Sequence, residues 1–281
     1  MPPKTVLITG CTPGGIGHSL AREFHAQGLR VFATARQTST IADLRAQGIE
    51  TFALEVTSSA SIQALAHDIA ALTDGKLDIL VNNAGRNYTV PATDIDMDEV
   101  RLTFETNVFA VMGMCQTFAP LIIAARGTIV QIGSLAALMP YVFGSVYNAS
   151  KGALHSYTAT LRVELAPFGV RVVNVVTGGV KSNIARTHRE LPEDSIYLPV
   201  KDEYAARLKH SQAQGIPNEV YAKSVVSQVL RSPRKDVIWE GGKSWLVWFV
   251  SSYFPRWVLD RAMTRMFSLW KLKGTHTKKL T

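Results

Sequence analysis

The chain has 281 residues, of which 47% are hydrophobic and 19% charged, so it can bury a large core as one large α/β domain or two small ones. Its two cysteines, Cys11 and Cys115, stand too far apart to form a disulfide framework and fit a reducing compartment. The net charge of +8 calls for a partner, but the basic residues are not interleaved as in a nucleic-acid groove, so no nucleic acid is expected.

Met1, Pro2, Pro3 and Lys4 run directly into the β-branched stretch Thr5–Ile8, which reads as a strand; no secretory signal is expected there. The loop from Thr9 to Gly17 follows, with glycines at 10, 14, 15 and 17, and a helix opens near Ile16 and runs to Gln27. Glycines after a first strand let backbone approach a pyrophosphate, whose charge is favoured at a helix N-terminus. A second strand, Arg30–Ala33, leads to Arg36, where an acidic residue would read a ribose 2′-hydroxyl; an arginine there suits a 2′-phosphate and favours NADPH over NADH. Thr40–Gln47 reads as a helix, Thr51–Leu54 as a strand, Ser59–Leu72 as a helix and Leu77–Val81 as a strand ending in Asn82, Asn83, Ala84 and Gly85. Asp98–Ala125 reads as a long helix with Asn107 inside it, a poor helix residue that suggests a specific reason for its presence. Gly127–Ile132 and Val170–Val176 complete six strands, separated by a helix over Val146–Ala166. This β-α rhythm predicts an α/β fold, a doubly wound parallel sheet with helices on both faces, in one domain over residues 1–240.

Tyr147 and Lys151 are four residues apart and therefore share one helix face. A neighbouring ammonium favours phenolate, which predicts a tyrosine pKa lowered from about 10 toward neutrality and a phenol able to exchange a proton with a carbonyl oxygen.

Thr9–Gly17, Asn82–Gly85, Asn107, Ser134 and the Tyr147–Lys151 pair, in this order and spacing, together resemble the single-domain short-chain dehydrogenases/reductases, from Lys4 to about Ser182. The resemblance implies a Rossmann-like sheet of about seven strands and an NADPH-dependent enzyme. It implies Tyr147 as proton donor, Lys151 on the nicotinamide ribose and lowering the tyrosine pKa, Ser134 steadying the alkoxide, and Asn107 holding a water that links Lys151 to solvent. Gly10, Thr12, Gly15, Ile16 and Gly17 would cradle the pyrophosphate, with Arg36, Glu55 and Val56 on the adenosine side. Asn83, Ala84 and Gly85 would flank the adenosine; Gly178 and Val180, with Tyr147 and Lys151, would meet the nicotinamide and its ribose, and the Ser182 hydroxyl the phosphate side. The chain departs from the family in a glycine loop one residue longer than the commonest spacing, in Glu55 where an aspartate is usual, and in Thr177 where a proline is usual. The family also implies a homodimer or homotetramer through the two long helices.

Residues from Lys181 to Gln214 are polar with weak strand signals, and suit a substrate lid. Residues 241–281 form an aromatic and basic extension. Trp245–Phe254 is densely apolar, but too short to span a bilayer. After Pro255, the residues Trp257, Leu259, Met263, Met266, Phe267 and Trp270 fall broadly on one helical face, with Arg256, Arg261 and Arg265 elsewhere. This predicts an interfacial helix pair on a membrane surface; packing on the core, at the substrate entrance or in a dimer contact is the alternative. The glycine loop and this tail resemble a fungal subgroup of the family that reduces an acylated ketone phosphate. The expected substrate is thus a lipophilic ketone, and the expected location intracellular, cytoplasmic or peripheral on endoplasmic reticulum or lipid droplets. Met139, Tyr141 and Phe143 are expected to line an apolar channel, and Lys181 or Arg186 to meet the phosphate. A polyketide or steroid-like ketone is the second expectation, and a non-catalytic dinucleotide sensor the third. No metal site is expected.

Overall fold

The computed structural model describes residues 2–185, 189–213, 215–232 and 235–273. In chain order the fold begins β1 (Thr5–Ile8), α1 (Ile16–Ala26), β2 (Arg30–Ala35), α2 (Ala42–Ala46), β3 (Glu50–Ala53), α3 (Ser59–Leu72) and β4 (Ile79–Asn82). It continues with α4 (Met97–Phe104), α5 (Ala110–Ala125), β5 (Thr128–Ile132), α6 (Ser145–Leu165) and β6 (Arg171–Thr177). Then come β7 (Val180–Lys181), α7 (Lys201–Ala213), β8 (Ile216–Pro217), α8 (Asn218–Arg231), β9 (Val237–Glu240), α9 (Ser244–Tyr253) and α10 (Trp257–Met266).

Seven parallel strands form one sheet in the order β3-β2-β1-β4-β5-β6-β9, so the fold is a Rossmann-like three-layer domain. The strands are apolar on both faces because helices cover both. Val6, Ile8, Ile79 and Val81 face a core shared with Leu20 and Phe24 of α1 and Tyr221, Val225 and Val226 of α8. Leu7 and Leu80, one residue out of phase, face Ile62 and Leu65 of α3, Met114 and Phe118 of α5 and Leu154 of α6. Strand order reverses between β1 and β4, and a crevice opens at their carboxyl ends, where such sheets bind ligands.

Three features add detail to the expectations. Beyond the six strands that the pattern marks, β9 is the seventh that the family resemblance implies. Among the described residues, the 181–214 segment holds only the end of the two-residue strand β7 and is mostly turn and helix, with α7 at its end. Tyr204 and Leu208, at i and i+4, are the apolar stripe that nucleates α7 against Phe143 and Val200. The long helix runs over Met97–Ala125 and carries a π turn in its middle: between α4 and α5 the Ala110 amide bonds to the Glu105 carbonyl five residues back, a bulge at Glu105–Phe109.

Candidate active site

The crevice widens into a cavity of about 880 Å³ that runs from the glycine loop to the C-terminal helices. Its wall includes Gly10, Thr12, Gly15, Ile16, Arg36, Glu55, Val56, Asn83, Ala84, Gly85, Ser134, Tyr147, Lys151, Gly178, Val180 and Ser182. Gly17 and Asn107 stand directly behind it.

The glycine loop is stitched to the end of β4. The Thr9 hydroxyl accepts from the amides of Asn83 at 3.0 Å and Ala84 at 2.9 Å, and the Asn83 side-chain amide donates to the carbonyls of Thr9 and Gly10 at 2.8 and 3.0 Å. Gly10 has φ +73°, and a Cβ there would stand 2.9 Å from the Ala84 Cα. A Cβ on Gly17 would lie 2.5 Å from the Gly10 carbonyl oxygen, so α1 can approach the loop only through a glycine. Gly15 caps α1 without a side-chain bond, and no acidic residue occupies its first turn. The cradle therefore fits a dinucleotide diphosphate: bare backbone, a helix N-terminus and no repelling carboxylate. Arg36 is exposed on the cavity wall at the end of β2 and enters no ion pair among the described residues. The Glu55 carboxylate is held by the amide and hydroxyl of Thr57 at 3.2 and 2.9 Å.

Ser134 follows β5. Its hydroxyl accepts from the Ala136 amide at 3.1 Å and is hydrogen-bonded to the Tyr147 phenol. Its own amide donates to Nε2 of His155 at 3.2 Å. Burial, and secondarily Lys151, push the His155 pKa down to about 4, which keeps the ring neutral and Nε2 free to accept. His155 is thus a positioning residue that no motif announced; its place one turn beyond Lys151 on α6 was the available signal.

Tyr147 and Lys151 project from α6 into the cavity as their spacing requires, with the ammonium 5.9 Å from the phenol ring centre. Their electrostatics reverse the sequence expectation. Burial raises the Tyr147 pKa above its ordinary 10, with the Ser134 hydrogen bond and the charge of Arg207 only opposing it. Lys151 is 5% exposed, donates to the Ile132 carbonyl at 2.8 Å, and is itself pushed down to about 8 by burial. Desolvation of the phenol outweighs both the Ser134 hydrogen bond and the Arg207 charge. A phenol so placed is fully protonated near pH 7 and holds a proton to give.

Asn107 lies in the π turn and is fully buried. Its Oδ1 accepts from the Arg86 amide at 2.9 Å, and its Nδ2 donates to the Arg86 carbonyl at 2.9 Å and the Ser150 hydroxyl at 3.0 Å. Ser150 in turn donates to the Tyr147 carbonyl at 2.8 Å. The out-of-place asparagine thus ties the cavity wall after Gly85 to the helix that carries Tyr147.

The substrate end of the cavity is walled by Met139 and Tyr141, as expected, and by Leu246, Val250, Leu259 and Met266 of the C-terminal helices. Phe143 is instead buried in a cluster with Tyr204, Met263 and Phe267, edge-on to all three neighbouring rings, Tyr197 among them. Lys181 is exposed and off the cavity wall. Arg186 lies outside the described residues. The face expected for the tail is split: Met263 and Phe267 pack inward, Leu259 and Met266 line the cavity, and Trp257 and Trp270 are exposed. The lid segment is pinned to the body by Glu99, which pairs with both Arg86 and Arg189, and by Tyr204, whose hydroxyl donates to the carbonyls of Thr89 and Arg189 at 3.1 and 2.8 Å.

A family model described as short chain dehydrogenase matches residues 4–193. Short-chain dehydrogenase srdE of Neurospora crassa is 41% identical over 275 residues, which cover 97% of this chain and 95% of that protein. The NADPH-dependent 1-acyldihydroxyacetone phosphate reductase of Schizosaccharomyces pombe is 43% identical over 204 residues, 70% of this chain and 69% of its own. Among solved structures, a short-chain dehydrogenase from Streptomyces avermitilis superposes with a TM-score of 0.78 at 26% identity, covering 96% of this chain and 97% of that one.

Proposed function

Since the chain belongs to the short-chain dehydrogenase family and is an oxidoreductase, we propose that it is an NADPH-dependent reductase of a lipophilic ketone. The observation that carries this is the Ser134–Tyr147–Lys151 cluster at the junction of a dinucleotide cradle and an apolar chamber. NADPH, when bound, supplies the hydride that reduces the carbonyl carbon. The chain's residues do the rest. Arg36 meets the 2′-phosphate. The Ser134 hydroxyl and the Tyr147 phenol bind the substrate oxygen, and Tyr147 delivers its proton as the C=O bond becomes an alcohol. A raised phenol pKa suits this direction, because the group begins protonated and a developing alkoxide is a far stronger base. Lys151 and Asn107 hold the ribose side and the Tyr147 helix in place.

The chamber, walled by methionine and aliphatic side chains, supports an acyl chain or a ring system attached to the ketone. The name of the Schizosaccharomyces pombe relative supports an acyl ketone phosphate; the longer match to short-chain dehydrogenase srdE, which takes in most of the tail, supports a different ketone on the same scaffold. The test is NADPH oxidation against a panel of acyl ketone phosphates and polycyclic ketones. Tyr147→Phe should lower turnover roughly 10²–10⁴-fold, as for loss of a general acid. Retention within tenfold would remove Tyr147 as the general acid, and NADPH binding by the wild type with no ketone turned over would favour a dinucleotide sensor over an enzyme.

A peripheral membrane contact belongs to the same reading. Helices α9 and α10 turn one side to the cavity and expose Trp245, Tyr253 and Trp257 at 68%, 67% and 62% on the other. Aromatic residues next to arginines at a chamber mouth suit a lipid interface from which an apolar substrate would enter.

A further inference from the structure

Among the described residues, Arg207 stands apart from the other cations. It lies on α7, in the polar lid segment, yet is only 5% exposed. Its guanidinium stacks 3.6 Å over the Tyr141 ring, its Nε donates to the Val142 carbonyl at 3.3 Å, and it forms part of the cavity wall. Among the described residues it pairs with no carboxylate, and its two terminal amino groups make no hydrogen bond. Buried arginines are normally paired, because withdrawing a guanidinium from water is costly unless an anion compensates. One that is held by a ring and a carbonyl, with its fork left open to a ligand cavity, has the geometry of a site completed by the ligand.

Its position fixes what that ligand must look like. One terminal nitrogen lies 3.4 Å from where a Gly144 side chain would begin, at the residue that opens α6, three positions before Tyr147. Its charge is felt at the Tyr147 phenol. An anion bound there sits close to the carbonyl that Tyr147 would protonate. Of the cations expected to meet a phosphate, Lys181 is outside the cavity wall, and Arg186 lies outside the described residues.

We propose that Arg207 is the anion subsite of the substrate chamber, and that the substrate is a ketone bearing an oxyanion, phosphate or carboxylate, within two or three bonds of its carbonyl. This rests on the ketone-reductase reading and narrows it. The lipophilic remainder of such a substrate would extend from this point along Met139, Leu246 and Leu259.

The test uses two matched pairs with NADPH: 1-O-hexadecyl-dihydroxyacetone phosphate against its phosphate-free form, and 3-oxohexadecanoate against its methyl ester. In the wild type, the anionic member of one pair should have a kcat/KM about 10²-fold above its neutral partner, the scale of one buried charge-paired contact; which pair does so identifies phosphate or carboxylate. In Arg207→Gln that advantage should fall to within about threefold, and Arg207→Lys should restore part of it. Equal use of both members by the wild type, in both pairs, would overturn the proposal. So would a parallel loss on both members in Arg207→Gln, which would make Arg207 a packing strut over Tyr141. Should Arg207→Gln not fold, calorimetric binding of the same pairs to the wild-type NADP⁺ complex decides: indistinguishable affinities refute the subsite. Wild-type turnover confined to neutral polycyclic ketones would also remove the anion subsite while leaving the reductase standing. No Tyr147-dependent NADPH oxidation with any carbonyl compound would remove the reductase reading itself.

Discussion

Replacing Asn107 with alanine should damage the protein more than any other single polar truncation near the cavity. The side chain is fully buried and makes three hydrogen bonds, at 2.9, 2.9 and 3.0 Å, two of them to the backbone of Arg86. Truncation strips the Arg86 amide and carbonyl of their partners inside the protein. Each orphaned buried group costs about 1–3 kcal/mol. The Ser150 hydroxyl keeps its bond to the Tyr147 carbonyl, so it adds little. The sum is about 2–6 kcal/mol, a large share of the 5–15 kcal/mol typical of a folded domain. Urea unfolding at pH 7 measures it. Asn107→Asp is the informative companion: it keeps an acceptor for the Arg86 amide but sets an oxygen against the Arg86 carbonyl and a charge in a dry site, and should be at least as destabilising. A loss below 1 kcal/mol for the alanine variant would refute the tie between the Gly85 wall and α6.

Acidification should weaken the fold through His155. Its pKa is about 4 when folded against 6.5 ordinarily, so the unfolded chain binds the extra proton between these values and stability falls as pH drops through that window. The contribution is at most about 3 kcal/mol, and His155→Gln should flatten the pH dependence of the urea midpoint by that amount; parallel profiles would contradict it. Arg36→Asp should raise KM for NADPH far more than for NADH in steady-state assays, equal effects counting against a 2′-phosphate contact. Because α9 and α10 wall the cavity, the membrane contact is better tested by Trp245, Tyr253 and Trp257→Ser together than by truncation: the triple variant should lose flotation with phosphatidylserine-containing vesicles, and unchanged flotation would exclude these rings as anchors.

What the sequence determined alone was what local spacing and composition control. Continuous apolar runs between helical stretches specify a buried parallel sheet, because only strands covered on both faces can be apolar at every position. Positions i and i+4 put Tyr147 and Lys151 on one face wherever α6 packs, and glycines 10 and 17 answer close backbone approaches within one β-α unit. Even the oddly placed Asn107 signalled a reason for itself. Tertiary structure decided whatever depends on burial and on residues distant in the chain. The direction of the Tyr147 pKa turned on desolvation, which spacing does not encode, and the sign reversed. His155 and Arg207 carried no motif, because their partners, the Ser134 amide and the Tyr141 ring, come from other elements. The split of the tail between core, cavity and surface likewise followed from where α10 docks, against Phe143 and Tyr204. A helical period marks which residues share a side; only the packed fold determines what that side meets.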